Sequence, residues 1–323
     1  MTQLDDLLQK SQSSLSSLKK NISSVVLGKD EVIDLVLTTL VTGGHLLIED
    51  VPGVGKTTLA NAVAISLGCS FKRIQFTADM LPSDLLGVSI FNQKTQSFEF
   101  RQGPLFSQFV LADEINRTSP RTQSALLQAM NEGEITVDRE TYPLEKPFLV
   151  FATQNPIESY GTYPLPESQL DRFLMRIEIG YPPEEVEKEI LRTRKQRRPI
   201  EDLQSVSNPE LLLELQSAVD QVEFDEELQG YLYDLVKATR HSSLLSIGVS
   251  TRGAIQFHRA VRAYAMVQSR SYVLPDDIKN LAAPCLAHRI SLRQSGTGGW
   301  STSGYAEAEQ IILDLLTHIP VPL

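Results

Sequence analysis

Apolar residues between positions 4 and 22 recur every three or four places, at Leu4, Leu8, Leu15, Leu18 and Ile22, the period of an amphipathic helix. Ser and Gln fill much of the remainder, and the stripe suits packing on the chain's own body or against a second helix in a coiled coil. The next stretch, VVLGKDEVIDLVLTTLVTGG, predicts a short extended segment, a helix and a Gly-Gly stop ahead of a strand. From His45 to Gly180 short apolar runs alternate with helical stretches. HLLIED, FKRIQF, FVLADE, FLVFATQ and FLMRIEI are five candidate buried strands, and the alternation predicts an α/β core with a mainly parallel five-stranded sheet and helices on both faces.

Past Pro182-Pro183 the pattern becomes helical throughout, with helices predicted over 184–197, 209–222, 225–241, 250–269, 275–289 and 305–318. The expected organisation is an N-terminal helix over 1–24, an α/β domain over 25–181 and an all-helical domain over 182–323. A chain of 323 residues is long enough for two such cores. Two departures from simple alternation stand out. VSIFNQKTQSFEF predicts a hairpin turning at 92–95, and GEITVDRETYPLEKPFLVFATQ predicts another just before the fourth strand.

Composition narrows the function classes. A net charge of −10 argues against a general nucleic-acid binder, because phosphate backbones reward clustered Lys and Arg. The one basic run, RTRKQRR at 192–198, falls at a predicted helix C-terminus, where positive charge suits the macrodipole. Cys69 and Cys285 are the only cysteines and lack metal-ligand or disulfide-framework spacing. The N-terminus lacks a signal-peptide layout and no apolar run reaches the length of a membrane span, so a cytosolic protein without a membrane span is expected.

The chemistry begins at EDVPGVGKTT, positions 49–58. An apolar strand, a glycine-containing loop, a Lys-Thr pair and then a helix form the order a phosphate loop needs. Pro52, Gly53, Val54 and Gly55 would form the cradle, with backbone N–H groups of Gly53 through Thr58 turned to the phosphates and the helix dipole behind them. Lys56 would reach the β- and γ-phosphates and Thr57 would ligate Mg²⁺. Asp50 stands where the pattern G-x-x-x-x-G-K-S/T has its first glycine. That position lies where the chain leaves the strand, so the carboxylate can point away from the phosphates.

An acidic pair at a later strand end turns a phosphate site toward hydrolysis. FVLADE supplies it: Asp113 would hold Mg²⁺ through water, and Glu114 would orient or deprotonate the attacking water. At the end of FLVFATQNP, Asn155 is positioned to hydrogen-bond the attacking water or the γ-phosphate, or simply to start the turn at Pro156.

With these features in place, the chain resembles the AAA+ ATPases, specifically the MoxR family, from about Val25 to its end. EDVPGVGKTTLA, GPLFSQFVLADEINRTSPRTQSALLQAMNEGEITVD, FATQNPIESYGTYPLPESQLDRFL and GVSTRGA carry the resemblance. It implies ATP and Mg²⁺ as cofactors, with ATP hydrolysed at subunit boundaries of a homo-oligomeric ring, usually a hexamer. It implies that Asn155 is the sensor-1 residue, that Arg172 of LDRF is an arginine finger for the neighbouring subunit's γ-phosphate, and that Arg252 is the sensor-2 residue of a helical lid. Forked, permanently charged guanidinium groups suit both arginine roles. Otherwise Arg172 would pair with Asp171 or Glu167, and Arg252 would be ordinary charge on a helix opened by Ser250. The resemblance also puts Val26 and Gly28 against adenine and turns the two hairpins toward a pore or client. The implied work is chaperone-like maturation of protein complexes, with clients including proteins that carry von Willebrand factor A domains. A magnesium-chelatase-like motor subunit and a DNA-processing ring ATPase are the rival readings. A GTPase is disfavoured by the absence of an N-K-x-D motif. Trp300, in the glycine-rich stretch 293–304, is a candidate contact point or a loop-packing residue.

Overall fold

The computed structural model describes residues 3–155, 161–193, 199–293 and 302–322. Most of the basic run and Trp300 therefore lie outside the described residues. Helix α1 (Gln3–Ser23) is followed by α2 (Asp30–Thr42), β1 (Leu46–Glu49), α3 (Lys56–Leu67) and β2 (Phe71–Gln75). Next come α4 (Pro82–Leu86), β3 (Gly87–Asn92), β4 (Ser97–Gln102), β5 (Phe109–Asp113), α5 (Pro120–Glu132), β6 (Glu134–Val137), β7 (Glu140–Pro143) and β8 (Leu149–Gln154). Then α6 (Glu167–Leu170) and β9 (Met175–Ile177) complete the α/β part. The remainder is α7 (Glu184–Thr193), α8 (Pro209–Ala218), α9 (Glu226–His241), α10 (Thr251–Val267), α11 (Pro275–Leu286) and α12 (Thr302–His318), with a two-stranded β10 (Leu245–Ile247) and β11 (Ser291–Leu292).

All five expected core strands form one parallel sheet in the order β2-β5-β8-β1-β9. Their side chains divide between two cores with the strand period of two. Leu46, Ile48, Phe109, Leu111, Leu149 and Phe151 face a core shared with α1, α2, α3 and the C-terminal helices. Leu47, Val110, Ala112, Val150 and Ala152 face a second core with residues of α4 and α5. Both faces are covered, which explains why these strands read as unbroken apolar runs. Leu15, Leu18 and Ile22 are buried in the first core, so α1 packs on the chain's own body.

Four expectations are corrected. The part expected to be all-helical, 182–323, is mostly helical but also holds the antiparallel pair β10–β11. Residues 24–28 form turns rather than an extended segment: the amides of Val25 and Val26 both bond back to the Ile22 carbonyl, and their β-branched side chains tuck against the core. The first hairpin turns at 93–96, one residue later than expected, because Asn92 pairs with Ser97. The predicted helices over 209–222 and 275–289 end in short 3-10 turns at Val219–Gln221 and Ala287–Arg289.

One contact joins α12 to the sheet. Arg176, 3% exposed, donates from Nε to Glu49 Oε2 at 2.6 Å, and its guanidinium lies over the Tyr305 ring, 3.1 Å from the centroid. A buried guanidinium needs such partners to offset its lost hydration.

Candidate functional site

In a parallel sheet ligands bind outside the carboxyl ends of the strands, and the ends of β1, β5 and β8 carry Glu49, Asp113 and Gln154. Between β1 and α3 the loop turns through Gly53 (φ +91°) and Gly55 (φ +98°), backbone conformations that only glycine adopts at little cost. A Cβ added at either would meet nothing within 4 Å, so the glycines serve conformation in an open cradle. Lys56 donates from Nζ to the Asp50 carbonyl at 2.6 Å. Burial pushes its ammonium below the ordinary range, opposed by the carboxylates of Asp50, Asp113, Glu114 and Glu49.

The Asp50 carboxylate is turned away from the cradle and has a use of its own. Oδ1 accepts from the Val51 amide at 2.7 Å, and Oδ2 accepts from the amides of Ile179 and Gly180 at 2.8 and 2.7 Å. It ties the start of the phosphate loop to the chain leaving β9. On the other side of that chain Lys29 donates to the Tyr181 carbonyl at 2.7 Å. Gly28 (φ +68°) approaches Pro183 and Val186 so closely that a Cβ there would lie 3.0 Å from each. Val26 is half-buried in the same turn, so both candidate adenine-side residues belong to a turn lying beside the connection from β9 to α7.

Asp113 and Glu114 are held by a network. Thr153 Oγ1 donates to Asp113 Oδ1 at 2.5 Å and accepts from the Glu114 amide at 2.9 Å. Arg73 holds Asp113 Oδ2 with NH2 at 2.6 Å and Nε at 3.1 Å. Glu114 adopts left-handed φ of 59°, which costs a non-glycine residue about 1–3 kcal/mol and persists only where surroundings impose it. Its Oε2 accepts from Gln75 Nε2 at 2.7 Å and Arg117 NH1 at 2.9 Å. Asn155, 5% exposed, follows two residues after Thr153.

Arg73, Gln75, Arg117 and Thr153 were not singled out from the sequence. The signals were present: three polar residues, Lys72, Arg73 and Gln75, inside the edge strand FKRIQ, and a buried threonine inside the apolar run FLVFATQ.

The donor set fits the expected cofactor. A threonine hydroxyl and a carboxylate are the hard oxygen ligands that Mg²⁺ takes, and the open glycine cradle at the amino end of α3 suits polyphosphate.

The two arginines lie outside this cluster of contacts. Arg172 donates from NH1 to the Leu127 carbonyl of α5 at 2.7 Å, while Asp171 pairs with Arg289, so the Arg172–Asp171 pair is not formed. Arg252 is exposed on the first turn of α10, whose N-cap is Ser250.

This sheet order, loop and acid pair, followed by a helical segment, define an ATPase of the AAA+ class. A family model described as "ATPase family associated with various cellular activities (AAA)" matches residues 45–175, and one described as "AAA lid domain" matches 237–311. The chain is 47% identical over 309 residues to Bacillus subtilis YeaC, across 96% of this chain and 95% of that protein. It is 39% identical to the Mycobacterium tuberculosis chaperone MoxR1, across 84% and 74%. A crystal structure of a candidate ATPase from Cytophaga hutchinsonii superposes with a TM-score of 0.88 at 39% identity, covering 99% of this chain and 98% of that one. The chain belongs to the MoxR family of AAA+ ATPases. Among the described residues no helix is long and apolar enough to cross a membrane.

Proposed function

We propose that this ATPase works as a homo-oligomeric ring, a hexamer, that hydrolyses Mg-ATP at sites shared between subunits. The gathering of the Gly53–Thr57 loop with Asp113, Glu114 and Asn155 at the carboxyl ends of β1, β5 and β8 carries this reading. Thr57 and Asp113 would hold Mg²⁺, which would supply charge neutralisation for the bound polyphosphate. Amides of residues 53–58 and Lys56 bind and orient the phosphates. Glu114 positions and deprotonates the attacking water, and Asn155 orients that water against the γ-phosphate. Val26 and Gly28 border the adenine.

Arg172 is the group supplied in trans. In its own chain it is bonded to α5 rather than to the phosphate loop, which supports a role toward a neighbour. Such an arginine is worth about 10³–10⁵ in rate where it has been measured. Arg252 reads the γ-phosphate from the lid, and loss of that contact frees the lid to rotate about the 181–183 hinge. The work delivered is chaperone-like maturation of protein complexes in the cytoplasm, with von Willebrand factor A domain proteins among the clients.

The test pairs equilibrium binding of a fluorescent ATP analogue with turnover. Glu114→Gln should bind nucleotide as the wild type does and lose turnover by about 10²-fold or more. Turnover preserved in Glu114→Gln removes Glu114 from the mechanism. Capture of client proteins on the same variant, loaded with ATP, tests the chaperone role.

A further inference from the structure

Arg289 is wholly buried, its side chain 0% exposed, and it touches two segments that the proposed function treats separately. Toward the α/β part, its NH2 donates to the Phe173 carbonyl at 2.6 Å and its Nε pairs with Asp171 Oδ1 at 3.3 Å. Toward the lid, NH2 also donates to Gln256 Oε1 and NH1 to the Gly253 carbonyl at 3.4 Å. Asp171 closes the ring: its carboxylate accepts from Ser250 Oγ at 3.2 and 3.3 Å, and Ser250 Oγ itself accepts from the Gly253 amide at 2.9 Å. The neighbouring His288 bonds through Nε2 to the same Phe173 carbonyl at 3.1 Å.

Arg172 thus lies in the chain between Asp171 and Phe173, both bonded to Arg289, while its own side chain is bonded to the Leu127 carbonyl. Arg252 is likewise framed by Ser250 and Gly253. Packing leaves little slack: a Cβ on Gly253 would meet Arg289 Cδ at 3.1 Å and Asp171 Oδ1 at 3.4 Å. A buried charge stripped of its partners is strongly unfavourable, so the cluster moves as one body or not at all.

We propose that Arg289 is a positioning residue that couples the lid helix reading a subunit's own nucleotide to the arginine that subunit offers its neighbour, with Asp171 and Ser250 as its partners. A displacement of α10 on loss of the γ-phosphate then displaces Arg172, so one site's state sets the rate at the next. This rests on the roles of Arg172 and Arg252 proposed above.

Mixed rings test it. Wild-type subunits are combined with a fivefold excess of a hydrolysis-dead dopant, which contributes to turnover only through what it presents to neighbours. Dopants are Glu114→Gln alone, with Arg172→Ala, with Arg289→Gln, or with Asp171→Asn. Each is first checked by circular dichroism, by binding of a fluorescent ATP analogue and by co-elution with wild type. The Asp171→Asn dopant carries the test if Arg289→Gln fails those checks. The Arg289→Gln dopant should lower kcat per wild-type subunit by about fivefold, as the Arg172→Ala dopant does, with KM unchanged, because a finger acts in the transition state. If the Arg172→Ala dopant acts and the Arg289→Gln and Asp171→Asn dopants behave like plain Glu114→Gln, the coupling is refuted. If the Arg172→Ala dopant has no effect, the shared site itself fails, and the coupling with it.

Discussion

Asp50 occupies the place where the phosphate-loop pattern has glycine, and the most informative perturbation is to restore that glycine. In the structure the Asp50 carboxylate accepts three backbone N–H groups, those of Val51, Ile179 and Gly180. Removing it strands two donors from the chain leaving β9, one of them on Ile179, which is 4% exposed. Each buried donor left unsatisfied costs about 1–3 kcal/mol, and the loss at Val51 and the freedom gained by a glycine add to this. Asp50→Gly and Asp50→Ala should therefore lower unfolding stability by about 3–5 kcal/mol, with Asp50→Asn, which keeps one acceptor, between them and wild type. Urea unfolding followed by circular dichroism measures the loss, and titration with a fluorescent ATP analogue measures the cradle. Affinity should change by less than about threefold, since no Asp50 side-chain atom faces the phosphate amides. Stability within about 0.5 kcal/mol of wild type, or a large gain in affinity on restoring the glycine, would refute the clamp.

The remaining expectations are narrower. Burial pushes the His45 imidazole down to about 4 from 6.5, where it accepts from the Val150 amide and donates to the Met130 carbonyl. Between pH 6.5 and 4 the unfolded chain takes up a proton the folded chain refuses, so stability falls as pH drops through that window, by about 3 kcal/mol in total. Denaturant titrations at a series of pH values should show a shallower slope in His45→Gln. Arg73 holds the carboxylate proposed for the metal, so Arg73→Ala should strengthen Mn²⁺ binding by about two- to fivefold, given that the Arg73 side chain is 48% exposed. Paramagnetic resonance titration of the free ion reads this directly, and weaker binding would count against the competition. Tyr305→Leu removes the ring under Arg176 and should cost about 1–2 kcal/mol in urea unfolding, whereas no loss would show that the α12 contact contributes nothing.

The fold was legible because its signals are local. Five apolar runs separated by helical periods give a covered parallel sheet, and glycines at 53 and 55 announce a loop that other residues cannot trace. The candidate phosphate loop and acid pair could be picked out because each is contiguous in sequence, and both fall at strand ends. The groups that hold the acids were not, since Arg73 and Gln75 come from β2 and Thr153 from β8, and only the strand order β2-β5-β8 brings them to Asp113 and Glu114. Asp50 was read as a residue the cradle tolerates; two of its three partners, Ile179 and Gly180, lie about 130 positions away, beyond any sequence pattern. Val25 and Val26 misled because β-branched residues favour strands in general, while here the end of α1 and the apolar core fix them in a turn. The Asp171–Ser250–Arg289 cluster likewise joins three remote segments, each unremarkable alone.

The central claim is that hydrolysis needs two subunits, one presenting the phosphate loop with Glu114 and the other presenting Arg172. The most direct measurement is ATP turnover per subunit against protein concentration for wild type beside Arg172→Ala, with assembly followed by light scattering in the same samples. Wild-type turnover should rise with assembly and plateau, while Arg172→Ala should assemble yet stay slower by about 10³-fold at every concentration. Turnover per subunit that is independent of concentration and unchanged in Arg172→Ala would contradict the account.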